Sequence, residues 1–413
     1  MKKFLFLSLF PLFTFAGNLD ELLNLAEQNK QVEASRYSLE ASKEKEYATK
    51  SSYLPNLTLG ATQTFNQESN MFAAEKNATG TATISFTIYD GGKREASFEQ
   101  QQALVKSATF ALASIQNNIS LDIIYCYYNY LSTLASKEST LKKMEQLEAE
   151  RYRLEKFLSV EIITTDELQK IISSIEQTKV DLLTLDNTLN NISNTLEYLT
   201  GQEVNVEKGS TIAYKENTNN EENKRLDILA LEESVQSNKS EIQMAKAPNL
   251  PTIALQNTYS KHDFDYPVAT QNLKEQNSVQ LSMQWKIFDF ASTSSNAQAA
   301  HLNYLSKNSE LSYAKYKAKA SLKNAQNNYK TSLAKIEAAK AKLQASEMTY
   351  ELVKKKFQQG IVNNVSFLDA LSDKFNSNSQ LQTALNEAEY QKAVLLYEMG
   401  ENIKEAIQWK RFF

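Results

Sequence analysis

The residues able to do covalent or metal chemistry are few and scattered. The 413-residue chain holds one cysteine, Cys126, and two histidines, His262 and His301. A single thiol excludes an intramolecular disulfide, and two imidazoles cannot build a His/Cys metal cage within one chain. Cys126 lies in the run Ile123-Ile124-Tyr125-Cys126-Tyr127-Tyr128, which reads as the core side of a helix rather than a reactive site. The sequence contains no Gly-rich phosphate loop, no Gly-x-Ser-x-Gly elbow and no His/Asp pair at motif spacing, and Gly91-Gly92 reads as a corner between a strand and a helix. Catalytic residues, a metal and a cofactor are therefore not expected. Chemistry, if present, must come from how long elements place simple polar, acidic and apolar side chains.

Composition says what those elements are. The chain has 9 Gly and 5 Pro, where average usage gives roughly 29 and 20, so loops are scarce and regular elements long. Lys+Arg 45 against Asp+Glu 49 leaves a net charge of −4, and no basic stripe offers itself to nucleic acid. Apolar residues make up 42% of the chain, enough for a core, while a mean hydropathy of −0.48 excludes a bundle of spanning helices. Lys2 and Lys3, the apolar run Phe4 to Phe15 and the small residues before Gly17 read as a signal peptide over residues 1–16. No later stretch reaches the roughly 18 apolar residues of a transmembrane helix.

Six segments, Asn18–Lys50, Gly92–Phe157, Thr165–Leu199, Lys224–Lys246, Ser292–Phe357 and Ser366–Trp409, are rich in Ala, Leu, Glu, Lys, Gln and Asn and nearly free of Gly and Pro. They are expected to be helices, and one of sixty residues would be ~90 Å long. Leu322, Ala325, Tyr329, Leu333, Ile336, Ala339 and Leu343 recur in steps of three and four, a coiled-coil-like seam.

Four short segments alternate instead, and strands are expected at about 53–66, 79–89, 251–261 and 277–288. Their apolar positions include Leu57, Leu59, Ile84, Phe86, Ile253, Leu255, Leu281 and Trp285, with Thr, Ser and Gln between them. Alternation over about ten residues is the pattern of a transmembrane barrel strand, apolar toward lipid and polar toward a wet lumen. A soluble sheet packing one face on helices gives the same pattern. The connections Asn66–Gly80 and Lys261–Asn277 are short enough for hairpins. Four strands cannot close a barrel, for which about eight is the minimum, so copies of the chain must share one.

The chain also repeats itself. Pro55 and Pro251 are 196 residues apart in similar contexts, Ile88-Tyr89-Asp90 is echoed by Ile287-Phe288-Asp289 at 199, and Lys156-Phe157 by Lys356-Phe357 at 200. The halves are placed at 17–214 and 215–413, each running helix, strand, strand, long helix, break, helix. The breaks fall near 158–165 and 358–366, at the ends of the helices away from the strands.

Pro55-Asn56-Leu57, the junction Ile88-Tyr89-Asp90-Gly91-Gly92-Lys93-Arg94, its copy at Ile287-Phe288-Asp289, and Phe357-Gln358-Gln359-Gly360-Ile361 leading into Phe367-Leu368-Asp369-Ala370-Leu371 resemble the TolC family of outer-membrane efflux proteins. The resemblance covers nearly the whole chain beyond the signal peptide. It implies a mainly α fold with a small β part: a long coiled-coil helical barrel in the periplasm, continued by a transmembrane β-barrel in outer-membrane lipid, shared by a homotrimer. It implies a tripartite efflux system, with a periplasmic adaptor protein and an inner-membrane pump as partners and this chain as the passive exit duct for small toxic compounds. Metal-ion efflux and type I polypeptide secretion are alternative cargoes, and a structural or adhesive coiled-coil protein of the outer membrane is an alternative of another class.

The family closes its periplasmic entrance near the helix breaks and places acidic residues after the glycine turn. In this chain Ser366 stands six residues after Gly360 and Asp369 nine, while the first half has Val160 at the glycine position and Asp166 six residues on. By resemblance, Asp369, Asp166 and Ser366 are the candidate gate, and Phe157, Val160, Phe357, Gly360 and Ile361 the candidate contacts to adaptor or pump. An aspartate in the first helical turn also simply faces the macrodipole, which is the other reading of Asp166.

Overall fold

The computed structural model describes residues 15–68, 74–160, 163–214, 225–264 and 274–409. Strand β1 (Phe15–Gly17) is followed by helices α1 (Leu19–Leu25) and α2 (Lys30–Ser52), strands β2 (Asn56–Phe65) and β3 (Lys76–Tyr89), and helices α3 (Lys93–Ser159) and α4 (Thr165–Thr200). Short strands β4 (Val204–Val206) and β5 (Ser210–Ile212) lead to α5 (Leu226–Lys246), β6 (Thr252–Phe264), β7 (Glu275–Gln284), α6 (Ser292–Gln358), α7 (Asn364–Met399) and β8 (Ile407–Trp409). The two long helices have 67 residues each and the two that follow have 36 each. That equality carries the expected tandem repeat into element lengths.

Contacts divide the chain into two compact units: Ser35–Leu112 with Asp227–Lys315, and Met1–Ala34 with Ala113–Leu226 and Tyr316–Phe413. The first unit is built on a four-stranded sheet in the order β2-β3-β6-β7, antiparallel throughout. The two expected hairpins are present, and the pairing of β3 with β6 joins the halves. The strands run further than their apolar alternation, β3 starting at Lys76 and β6 ending at Phe264. Polar cross-strand pairs extend the ladder there, Lys261 with Glu275 at 3.1 Å and Thr79 Oγ1 with His262 Nδ1 at 3.0 Å.

The second unit is helical. Its seam on α6 passes through Leu322, Ala325 and Tyr329, with Ala325 packed on Leu395 and Met399 of α7. One position departs from the sequence reading: Leu333 is 43% exposed and Ser332 is buried in its place. A seam stepping strictly three and four from Ala325 and Tyr329 meets 332 and not 333, so geometry selects the smaller residue. Between α3 and α7 the contacts include hydrogen bonds: Asn386 Nδ2 to Ser132 Oγ (3.1 Å), Ser136 Oγ with Ser379 Oγ (2.6 Å) and Ser139 Oγ to the Phe375 carbonyl (2.8 Å).

The last helix ends earlier than expected, at Met399 rather than Trp409. Gly400 is left-handed (φ 77°) and its N–H closes on the Leu396 and Tyr397 carbonyls, an arrangement that stops a helix. The following residues pair instead, Ser210–Ile212 with Ile407–Trp409. Likewise Phe15–Gly17 pairs with Val204–Val206, so two residues of the expected signal peptide belong to a strand; its first fourteen lie outside the described residues. No helix among the described residues is long and apolar enough to cross a membrane.

Candidate functional site

The sheet sorts its side chains by register. In an antiparallel ladder residues directly opposite one another share a face. The rows Leu57–Ile84–Asn257–Val279 and Phe86–Leu255–Leu281 therefore stand on one face, with Leu59 and Ala82 beside them and Ile253 opposite Met283. The other face carries Thr58–Thr83–Thr258–Ser278 and Asn56–Ser85–Gln256–Gln280. Seven of the eight residues expected toward lipid thus lie together, and Leu59 (75% exposed) and Leu281 (68%) have no cover within the chain. Asn257, which the sequence reading passed over, is the polar exception in the apolar rows. On the opposite face hydroxyls bond one another, Thr83 Oγ1 with Thr258 Oγ1 at 3.3 Å, a surface suited to water.

Trp285 is the eighth, and its placement corrects the expected fourth strand. The ladder ends at Thr252–Gln284, because the residue before Thr252 is Pro251, which has no N–H to donate. Trp285 lies just past the strand, its indole N–H donating to the Asn249 carbonyl at 3.0 Å.

In the helical unit, the ends of α3 and α6 and the starts of α4 and α7 share one apolar cluster, with Leu147, Leu154, Ile171 and Leu371 at 0–1% exposure. Phe357 is buried in it, stacked on Phe367 with ring centroids 4.8 Å apart. Arg153 lies over both Phe157 and Phe357, at 5.2 and 4.9 Å from the ring centroids, and forks onto Glu150. Asn364 Nδ2 donates to the Glu167 carbonyl at 2.9 Å, tying the start of α7 to that of α4. Sequence reasoning missed Arg153, although its spacing of three from Glu150 and four from Phe157 on one helix face was the available signal.

The turns themselves are exposed. Gly360 is left-handed (φ 70°), and the N–H of Ile361 returns to the Lys356 carbonyl at 2.9 Å, closing the end of α6. Val160 (61%) and Ile361 (65%) face solvent. Val160 is not left-handed, since among the described residues the non-glycines with positive φ are Phe290 and Ala291. By the helix ends, Ser159 with Gln358 and Thr165 with Asn364, Val160 corresponds to Gln359, and the counterpart of Gly360 is residue 161, which lies outside the described residues.

Ser366 serves the cap of α7: its N–H and its hydroxyl both donate to Asn363 Oδ1, at 2.9 and 3.0 Å. Asp369 is exposed one turn further on. Asp166 accepts from Thr164 Oγ1 and from Lys170 Nζ (3.3 Å), and these bonds hold its exposed carboxyl below the usual carboxylate range. Cys126 is buried, and burial together with the Asp122 carboxylate pushes its thiol up to about 11.

A long-helix repeat carrying a small sheet with one apolar and one hydroxylated face is the architecture of an outer-membrane channel. A family profile described as Outer membrane efflux protein matches residues 218–399. The chain is 24% identical over 413 residues to Outer membrane protein TolC of Escherichia coli (strain K12), covering 92% of this chain and 81% of that protein. It is 22% identical over 405 residues to its counterpart in Salmonella enteritidis, with the same coverage. Among solved structures, the outer membrane protein VceC of Vibrio cholerae aligns with a TM-score of 0.83 at 15% identity, over 93% of this chain and 96% of that one. The CmeC outer membrane channel of Campylobacter jejuni aligns at 0.83 and 14%, over 92% and 85%. The second half of the chain thus matches the outer membrane efflux protein family, and most of the chain is similar to TolC, an outer membrane protein.

Proposed function

We propose that this chain is the passive exit duct of a tripartite efflux system, a homotrimer whose three four-stranded sheets close one 12-stranded barrel. The observation that carries this reading is the sheet: one face is apolar and uncovered, the other hydroxylated, and β2 and β7 are unpaired at its two edges among the described residues. In lipid an unpaired edge leaves N–H and C=O groups without water, so the edges of neighbouring copies must meet. The family supplies the number three, the periplasmic adaptor and the inner-membrane pump.

Transport energy then comes from the pump, and this chain provides a wet path and a gate. Asp369, exposed on α7, is the strongest gate candidate; Asp166 is engaged locally and Ser366 caps its helix. The exposed Val160, Gly360 and Ile361 are the proposed contacts to adaptor or pump, with Phe157 and Phe357 held in the core behind them. Small toxic compounds are the proposed cargo. Detergent-extracted protein should have the mass of three copies and should conduct ions in a planar bilayer once its gate is opened. A folded monomer in mild detergent, or a trimer silent under every opening condition, would sink the proposal, and the susceptibility profile of a deletion strain would separate drug from metal cargo.

A further inference from the structure

We infer that a cavity between α3 and α7 is a binding site for a methylated ammonium group, the charged head of a small organic cation. Neither the lipid face of the sheet nor the number of copies enters this reading. Along α3 the stretch Ser107–Ser136 has one charged residue, Asp122, and along α7 the stretch Phe375–Gln391 has two, Glu387 and Glu389. The two stretches touch, Tyr125 meeting Tyr390 edge-to-face at 5.2 Å and Asn386 Nδ2 donating to Ser132 Oγ at 3.1 Å. Carboxylates therefore lie along a seam to which neither stretch brings a lysine or arginine. Glu389 is engaged by the Ile212 N–H at 2.9 Å and by Lys392 at 2.6 Å. Among the described residues, Glu387 receives the Gln391 amide on Oε1 at 2.6 Å and no basic partner.

The cavity, about 140 Å³, opens where these features converge, and its lining includes Tyr125, Tyr128, Tyr390, Asn386 and Glu387. Asn386 uses its Nδ2 on Ser132, so the atoms that Asn386 and Glu387 have left to offer are oxygens, Oδ1 and Oε2. The Tyr128 hydroxyl donates to the Ser210 carbonyl at 3.2 Å, which leaves its ring as the lining surface. In an edge-to-face pair such as Tyr125 and Tyr390, the ring that presents its edge keeps both faces free. Burial first, then the Glu387 carboxylate, with Tyr125 and Asp122 behind it, hold the Tyr390 phenol above its ordinary value, as expected where positive charge is wanting. Aromatic faces beside a carboxylate with no competing cation are the chemistry that recognises a methylated ammonium. A lysine of a partner protein would bring a compact, strongly hydrated ammonium that leaves the ring faces unfilled. Drug-sized ligands need roughly 300 Å³ or more, so the cavity takes the head of a cation and leaves its body in the groove outside.

The test is calorimetric titration of the detergent-extracted protein with choline and with its uncharged isostere, in which carbon replaces the nitrogen. Choline should bind saturably, and the isostere at least about tenfold more weakly. Glu387→Gln keeps the shape and removes the charge, and should weaken choline about tenfold, as loss of a charged hydrogen-bonding partner does. Tyr125→Leu should weaken it about two- to fivefold, and Tyr125→Phe, which keeps the ring, should bind as the parent does. Tyr316→Leu, at a tyrosine 76% exposed on α6, should change nothing. Tyr125 is 50% exposed, so its replacement disturbs little packing and decides the question even if Glu387→Gln does not fold. Absence of saturable choline binding, or equal binding of the isostere, would overturn the inference and leave an apolar notch. Unchanged affinity in both Glu387→Gln and Tyr125→Leu would put choline elsewhere on the protein, and methylammonium binding more tightly than choline would assign the cavity to a lysine-like group; each overturns it as well. None of these results bears on the trimer or the barrel, which mass and conductance test separately.

Discussion

Replacing Leu281 and Ser282 separately with arginine tests the face assignment with the smallest change of position. The two residues are adjacent in β7, and the pleat sends them to opposite faces: Leu281 stands opposite Leu255, which stands opposite Phe86, whereas Ser282 pairs with Ala254 on the hydroxylated side. Leu281 is 68% exposed, so the arginine would have no protein groups to pair with. On a lipid face near the midplane it costs ~2–4 kcal/mol, while a lumen position tolerates charge. At 1.4 kcal/mol per decade this is a factor of about 30 to 700 in each protomer's insertion equilibrium. Asn257→Leu is the converse test, since Asn257 is flanked in its row by Ile84 and Val279 and should insert better without its amide. Folding from urea into liposomes, read as the fraction of heat-modifiable trimer on gels, measures all three. Equal urea midpoints for Leu281→Arg and Ser282→Arg would refute the face assignment, and a loss of trimer in Asn257→Leu would show that this amide has a partner in the assembly.

At the first-half corner, Gly91→Ala should destabilise at least about twice as much as Gly92→Ala in thermal dissociation of the trimer. Both pay ~1–2 kcal/mol for a left-handed backbone, but a Cβ on Gly91 would meet the Ala247 carbonyl oxygen at 2.6 Å and one on Gly92 meets nothing within 4 Å. On the proposed trimer with Asp369 at its gate, Asp369→Asn should lower cation selectivity and weaken block by multivalent cations, read from reversal potentials of single trimers, because on that reading it removes up to three charges at one level of the pore. Asp166→Asn should do less, since Thr164 and Lys170 already engage that carboxylate. Its folded-state pKa is lowered, so what these bonds contribute at the start of α4 is present above the unfolded-state value and is lost as pH falls through the folded one; hydrogen exchange of that turn against pH reports it. Cys126, with its thiol near 11, should resist maleimide at pH 8 in the native protein and react fully on denaturation.

Long-range regularities were the legible part. The repeat offsets near 200 and the scarcity of Gly and Pro yielded both long helices within two residues of their observed ends, because helix boundaries here are set by local caps such as Gly360 and Asn363. Period-two alternation sorted the sheet faces correctly for the same reason, since the pleat is local. Features that depend on a distant partner were not legible. Strands β1, β4, β5 and β8 have three residues each and acquire strand character only by pairing across the chain, Phe15 with Val204 and Ser210 with Trp409. The end of α7 was overrun because Gly400 and the pairing of Ile407–Trp409 were read as helical composition. Leu333 is the more hydrophobic neighbour, but the alternating three-four step from Tyr329 falls on Ser332, which is the residue buried.

At the turns, the departures of one half from the other locate demands that the fold alone does not make. Two halves with helices of 67 and 36 residues and turns of equal length could share every corner residue if those corners did nothing but reverse the chain. They do not share them. Gly91 is required by contact, because the Ala247 carbonyl leaves no room for a side chain; Phe290 holds the equivalent place where the surroundings are open, and presents a ring outward. At the other end of the same helices, Gly360 closes α6 in a left-handed turn, and its counterpart by the helix ends, residue 161, lies outside the described residues. At the corner one half keeps the residue that the backbone prefers and the other carries an exposed apolar group in its stead. An exposed apolar side chain gains nothing for an isolated chain in water, so this substitution points to a surface that is covered in the working assembly.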